Sequence, residues 1–385
     1  MNIKYFLHFM VKVLLRTVLH VFWIFPVRQN RLFFINELSY TYGDSLKYIN
    51  EYIREKRPGK YQVIFPVKDT AEEGSGKFIP VKPHSRLYYY YIMTSRVIIS
   101  NAGGYSYLPL RKSQKVISTW HGGGAYKKVG GEVFKNRWSR LESKMNAGNL
   151  DYMLSSCLYF SKYECRSMDI PPRKCVPSGI PRVDIFFKDT GMIREKVFNY
   201  YGLNRDSHLV IYAPTYRSDM NDYVGGLYSS SGSELDSARV TAAFAQRFGG
   251  SWDLGIRLHP KLKDIAKPAE GCLDLTGYPD MQELLCAAGA VITDYSSLMW
   301  DAGFTGKPCF IFAPDIDQYE KERGFYVPVS EWPYIVAKSE NELVSRILRF
   351  DESAYKDALK KHHEAIGSYE KGRACAIALK LIERS

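Results

Sequence analysis

The chain has 385 residues, 45% hydrophobic and 24% charged, which is the composition of a folded protein too long for one ordinary core, so two domains are expected. A net charge of +12 draws nucleic acid, anionic lipid and phosphorylated substrates alike, but no zinc-finger spacing, RNA-recognition signature or lysine-rich tail accompanies it, and nucleic acid is set aside as a partner. Seven scattered cysteines without a C-x-x-C pair argue against a disulfide framework or a zinc site, and no repeat of fixed period points to a solenoid.

The first segment, "MNIKYFLHFMVKVLLRTVLHVFWIFPV", is apolar, but Lys4, His8, Lys12, Arg16 and His20 recur at every fourth residue. On a helix that spacing winds a basic stripe along one side, with Phe, Leu, Val and Trp23 filling the rest. Pro26 ends it. The uncharged run after Arg16 falls short of the ~20 apolar residues of a spanning helix. Cations interrupt the apolar part and no small-residue cleavage site follows, which argues against a signal peptide. The expectation for 1–28 is therefore an amphipathic helix in a membrane interface, its cations toward anionic headgroups.

From Arg31 onward, short β-branched runs alternate with helical segments. "RLFFIN", "YQVIFPV", "RVIISN", "KVISTW" and "DYMLSS" form one series of strands. After a change near Gly202, "HLVIYAP", "WDLGIRLH", "CLDLT", "AVITD" and "PCFIFA" form a second. Continuous apolar strands between helices indicate parallel sheets covered on both faces. The reading is an α/β protein of two doubly wound domains, 29–200 and 201–385, with a cleft between them. The tyrosine run "RLYYYYIM" reads as a buried or interfacial helix rather than a platform for bases. Whether the final helix, "ACAIALKLIERS", returns to the first domain is open at this level.

Ligands of such folds bind beyond the carboxyl ends of the strands, and four notable stretches fall there. In "STWHGGGAYKKVGG" (118–131), His121 offers proton exchange near neutral pH, the glycines allow close backbone approach, and Lys127 and Lys128 either hold phosphate or remain solvated. "APTYR" (213–217) and "RLHP" (257–260) follow apolar strands. Arg257 and His259 share one face of an extended end and suit a pyrophosphate, although a satisfied core histidine has the same appearance. In "TDYSSLMWDAGF", Ser296 or Ser297 caps a helix whose free N–H groups favour an anion, and Asp301 lies one turn on, either for a ribose or glycol hydroxyl or as a surface acid. No phosphate-gripping G-x-x-x-x-G-K-[ST], dinucleotide fingerprint or metal-ligand spacing occurs, so no cofactor or metal is assigned.

Taken in order, "TWHGGGAYKKVG", "SGIPRVDIFF", "YAPTYR", "RLHP", "AGAVITDYSSLMWDAGFTGKPCFIF" and "RGFYV" closely resemble the CDP-glycerol glycerophosphotransferase family. The resemblance implies a GT-B fold, two Rossmann-like domains facing a cleft. It implies transfer of glycerol phosphate, or a similar polyol phosphate, from CDP-glycerol to a hydroxyl of a lipid-linked saccharide, releasing CMP. Such enzymes build teichoic-acid and some capsule polymers at the cytoplasmic face of the membrane, which makes a peripheral protein the expectation here. It makes His121 the catalytic base and puts His259 at the pyrophosphate. Substrate contacts fall on Gly122, Gly123, Arg182, Pro214, Thr215, Arg257 and Leu258, with Ser296, Ser297 and Asp301 completing the site. The chain departs at Gly123 and Gly124, where relatives often have Thr-Pro, and at Glu370-Lys371-Gly372, where they often have Asp-Gly. Its length resembles that of the primases. The rival readings are a nucleotide-sugar glycosyltransferase of the same fold and a catalytically dead scaffold.

Overall fold

The computed structural model describes residues 3–68, 70, 76–134, 136–215, 235–258 and 271–384. They form two compact units, Met1–Phe187 with Gly367–Ser385, and Lys188–Ile366. The first unit carries a seven-stranded sheet: β1 (Arg28–Ile35), β2 (Gln62–Pro66), β3 (Ile79–Val81), β4 (Ser95–Ser100), β5 (Lys115–Ser118), β6 (Tyr152–Ser155) and β7 (Cys175–Pro177). Its order is β3-β2-β1-β4-β5-β6-β7, and every paired register is parallel.

The second unit carries β8 (His208–Ala213), β9 (Trp252–Ile256), β10 (Leu273–Asp274), β11 (Ala290–Thr293), β12 (Cys309–Phe312) and β13 (Ile335–Ala337), in the order β10-β9-β8-β11-β12-β13. Both sheets thus begin in the middle, run outward, then restart on the other side. The direction reverses between β1 and β4 in one unit and between β8 and β11 in the other, the place where crossover connections part and leave a crevice.

Burial accounts for the strands. Leu32 to Ile35, Val97 to Ile99, Leu209 to Ile211 and Ala290 to Ile292 are almost fully removed from solvent, as sheets covered on both faces require. All ten strands expected from apolar runs are present. The three that were not expected, β3, β7 and β13, have three residues each and lie at sheet edges, where there is too little apolar sequence to mark a strand.

The chain passes between units at Phe187 and returns at Gly367, whereas the composition change had put a single division after residue 200. Helix Gly191–Tyr201 packs on Met281–Ala287 in the second unit. The terminal helix Ala374–Arg384 packs on helix α2 (Asp44–Lys56) of the first, its Ala378, Leu379 and Ile382 joining Leu32, Phe34, Leu46 and Ile49 in one core. The Asp184 carboxylate accepts from the N–H groups of Ala374 (3.0 Å) and Cys375 (2.8 Å), so a residue 190 positions away caps this helix.

Helix α1 (Ile3–Leu19) corrects the expected orientation of the basic stripe. Lys12 pairs with Glu142, the Arg16 guanidinium donates to the Ser106 carbonyl (2.7 Å), and Phe6 and Phe9 pack on Trp138. These cations face the protein because carboxylate and carbonyl partners wait there. The outward stripe is instead apolar: Ile3, Leu7, Met10, Leu14, Val18 and Val21 are all exposed, at helical spacing. With its 3-10 continuation the segment runs Ile3–Ile24, long and apolar enough to cross a membrane by length and composition.

In the second unit, helix Glu352–Ala365 buries His362 and His363. Phe304 stacks flat on the His363 ring at 4.4 Å, and its Nε2 has no hydrogen-bond partner among the described residues. Burial pushes both histidines down to about 4. Below their ordinary 6.5 the unfolded chain therefore takes up protons that the folded chain refuses, and stability falls as pH drops from 6.5 to about 4. His363→Phe should flatten the fall in melting temperature across that window, as measured by calorimetry at stepped pH.

Candidate functional site

The crevice of the first unit is lined by polar residues just past β1 and β4. Asn101, which follows β4, holds the centre: its Nδ2 donates to Asn36 Oδ1 (2.9 Å) and Asp44 Oδ2 (2.7 Å), while its Oδ1 accepts from the Glu37 N–H (3.2 Å). Asp44 opens α2 with φ at 56°, a left-handed conformation that Asp enters more readily than most residues but that still costs energy. Its Oδ1 accepts from Arg182 Nη1 (2.8 Å) and the Ser45 N–H (2.6 Å). Burial alone would push this carboxyl up. Arg182, Asn101 and Ser45 outweigh that and hold it below the usual carboxylate range. The two side chains are only 7% (Arg182) and 15% (Asp44) exposed, so this is an interior ion pair.

His121 comes to the same place from beyond β5. Trp120 before it takes φ at 53°, and the two rings lie 4.3 Å apart. His121 Nδ1 is 3.1 Å from the Asn101 carbonyl oxygen. A carbonyl can only accept, so Nδ1 carries the hydrogen and Nε2 keeps its lone pair. Burial lowers the His121 pKa. Asn101 and Asp44 pull the other way, while Arg182 and Lys127 add to the lowering. In the glycine run Gly122 is half-buried and Gly123 buried; the positive φ falls on Gly124 (78°), whose N–H donates to Ser156 Oγ (3.3 Å).

Beside this network, burial pushes the Glu37 carboxyl up to about 7, offset by Lys12 and the Gly104 N–H. A Cβ at Gly104 would meet the Glu37 carboxylate, so any larger residue there must displace that side chain.

The crevice of the second unit repeats the arrangement with other residues. Thr215, after β8, donates its N–H (2.8 Å) and its hydroxyl to the Asp294 carboxylate, after β11. Pro214 stands between β8 and this contact, half-buried. Ser296, rather than Ser297, supplies the bond at the start of helix Leu298–Ala302, accepting from the Leu298 N–H (3.3 Å). Asp301 is neither a surface acid nor turned to solvent: it is 1% exposed and accepts from Gln282 Nε2 (3.1 Å). Past β9, the Arg257 guanidinium donates to the Tyr278 carbonyl (2.8 Å) and the buried Leu258 N–H donates to Thr276 Oγ1 (3.1 Å). His259 lies outside the described residues.

Within the first unit the structure thus brings together His121 and Arg182, both named from sequence, and joins them through Asp44 and Asn101, which were not. In the second it joins Thr215 to Asp294, which sits inside the quoted "TDYSS" but had been given no role. The available signal was positional, an Asn or Asp directly beyond a strand next to the sheet's reversal. Among the described residues no group of three or more His, Cys, Asp or Glu side chains could hold a metal ion.

The chain matches the CDP-glycerol:poly(glycerophosphate) glycerophosphotransferase family over residues 17–384 and belongs to it. It is 26% identical to the teichoic acid poly(glycerol phosphate) polymerase of Staphylococcus epidermidis over 361 residues, 86% of this chain and 47% of that one. It is 23% identical to the teichoic acid ribitol-phosphate primase of Bacillus spizizenii, covering 84% of this chain and 83% of the primase. Against the teichoic acid glycerol-phosphate transferase of Staphylococcus aureus the identity is 24%, covering 90% and 91%. The chain therefore spans about half the length of the polymerase and most of the other two. Its fold is that of the wall teichoic acid polymerase TagF, with a TM-score of 0.80 at 23% identity over 99% of this chain and 97% of that one.

The Asp44–Arg182 pair gives a stability test. Arg182→Met leaves a carboxylate unpaired in the interior, which should cost about 3–5 kcal/mol in urea unfolding. Asp44→Asn added to it should recover part of that loss.

Proposed function

We propose that this family member transfers glycerol phosphate, or a similar polyol phosphate, from CDP-glycerol to a hydroxyl of a lipid-linked saccharide acceptor, with release of CMP. The observation that carries the reading is His121: a histidine whose pKa burial lowers, its Nδ1–H directed at the Asn101 carbonyl, which puts the lone pair on Nε2. Nε2 takes the hydrogen of the acceptor hydroxyl as its oxygen attacks the phosphorus that bears the polyol. A new P–O bond forms in line with the breaking bond to the bridging oxygen, which leaves on CMP. A base so placed is typically worth ~10²–10⁴-fold in rate. Arg257, Leu258, His259, Pro214, Thr215, Ser296 and Ser297 are assigned to the donor's nucleotide and pyrophosphate, where fixed donors stabilise the departing charge. Gly122 and Gly123 let the loop approach the reacting phosphate, and Arg182 and Asp301 hold their neighbours in place.

The acceptor's lipid puts the reaction at a membrane, and the exposed apolar stripe of α1 supports seating there as a peripheral protein on the cytoplasmic face. Exposed Lys4 adds attraction to anionic headgroups. Leu7→Ser, Val11→Ser and Leu14→Ser together should reduce flotation with anionic liposomes while the circular dichroism spectrum stays unchanged. Equal flotation would remove α1 from this role.

CMP release with CDP-glycerol or CDP-ribitol and a lipid acceptor, with mass spectrometry of the product, tests the reaction. A nucleoside diphosphate and a glycosidic bond would assign it instead to the glycosyltransferases. His121→Ala should lose most turnover and keep donor affinity, because a base acts in the transition state. His259→Ala should weaken both. Because the His121 pKa is lowered in the unliganded protein, the acid limb of kcat/KM should lie below pH 6.5.

A further inference from the structure

We infer that Asp44 is the positioning residue of His121, acting through Asn101. The inference rests on the reading of His121 as the base. Its ground is the direction of each hydrogen bond. A carboxylate only accepts, so Asp44 Oδ2 fixes which end of the Asn101 amide faces it: Nδ2 must point to Asp44 and Asn36, and Oδ1 to the Glu37 N–H. All three bonds hold one side chain, and the same residue's backbone oxygen receives the His121 Nδ1–H. Anchoring the amide therefore aims the carbonyl, and the carbonyl selects the tautomer with the hydrogen on Nδ1 and the lone pair on Nε2.

Two further observations point to a site rather than to ordinary packing. Asp44 is held at φ 56° at the start of α2, and Trp120, the neighbour of His121, at 53°, so both ends of the relay sit in conformations that cost energy unless the surroundings impose them. Asp44 is also an anion acting on His121 against two cations: Asp44 comes from α2, Arg182 from the segment Pro181–Phe187, and Lys127 from the histidine's own loop. Arg182 keeps Asp44 ionised, and Asp44 offsets the two cations at the ring.

The test uses the full chain with isotopically labelled histidine, the His121 signals being identified by their loss in His121→Gln. Wild type should show the Nδ1–H tautomer. Asp44→Asn should give a mixture of tautomers and a lower His121 titration midpoint. Its kcat should fall roughly 10–100-fold with KM for CDP-glycerol nearly unchanged, less than the ~10⁴-fold lost when an aspartate touching the histidine is replaced. If that variant does not fold, Asn101→Ala leaves the Asp44–Arg182 pair intact and should shift the tautomer the same way. An unchanged tautomer and titration in a folded variant overturn the inference, whatever the turnover. A wild type that turns over no CDP-polyol while the variants still shift the tautomer sinks the reaction and leaves the positioning role standing.

Discussion

A parallel strand is apolar on both sides and must be covered on both, so the chain has to carry its helices first to one face of the sheet and then to the other. The switch leaves two neighbouring strand ends without a crossover above them. In the first unit those ends belong to β1 and β4, in the second to β8 and β11. Each gap is bridged by side chains, Asn36 to Asn101 in one and Thr215 to Asp294 in the other. The contacts that hold His121 hang on the first of those bridges.

The bridges differ in what they can do. Thr215 and Asp294 form a short closed contact that fixes the turn after β8. Asn101 is one link in a longer chain, from Arg182 through Asp44 to the backbone oxygen that holds His121. Desolvated charge at Asp44 and Arg182 and left-handed backbone at Asp44 and Trp120 lie along it. Such strain persists only where tight packing enforces it, and the covered strands below supply that packing. The rigidity of the sheet is thereby passed to an imidazole on a glycine-rich loop.

The fold was legible because buried strands carry their signature in consecutive residues, and the edge strands β3, β7 and β13 were missed because they do not. The ordered motifs likewise marked both crevices and the histidine. The relay around His121 could not be read: Asp44 and Asn101 are 57 positions apart, and Asp44 and Arg182 are 138 apart. Nothing local announces such pairs. Helix α1 shows a different limit. Its two faces were plain in the spacing of Lys12 and Arg16, but which face meets protein depended on Glu142 and the Ser106 carbonyl, both supplied from elsewhere in the fold.

The terminal helix bears on how the molecule is made. Lys188–Ile366 is inserted into a unit whose core includes Ala374–Arg384 and whose Asp184 waits for the N–H groups of Ala374 and Cys375. Without that helix the outer unit lacks a wall, its β1 and α2 side chains Leu32, Phe34, Leu46 and Ile49 short of their partners. The half that holds His121 thus closes only by joining two stretches of chain separated by a whole unit, a loop closure that the inserted unit, built from one continuous stretch, does not have to make.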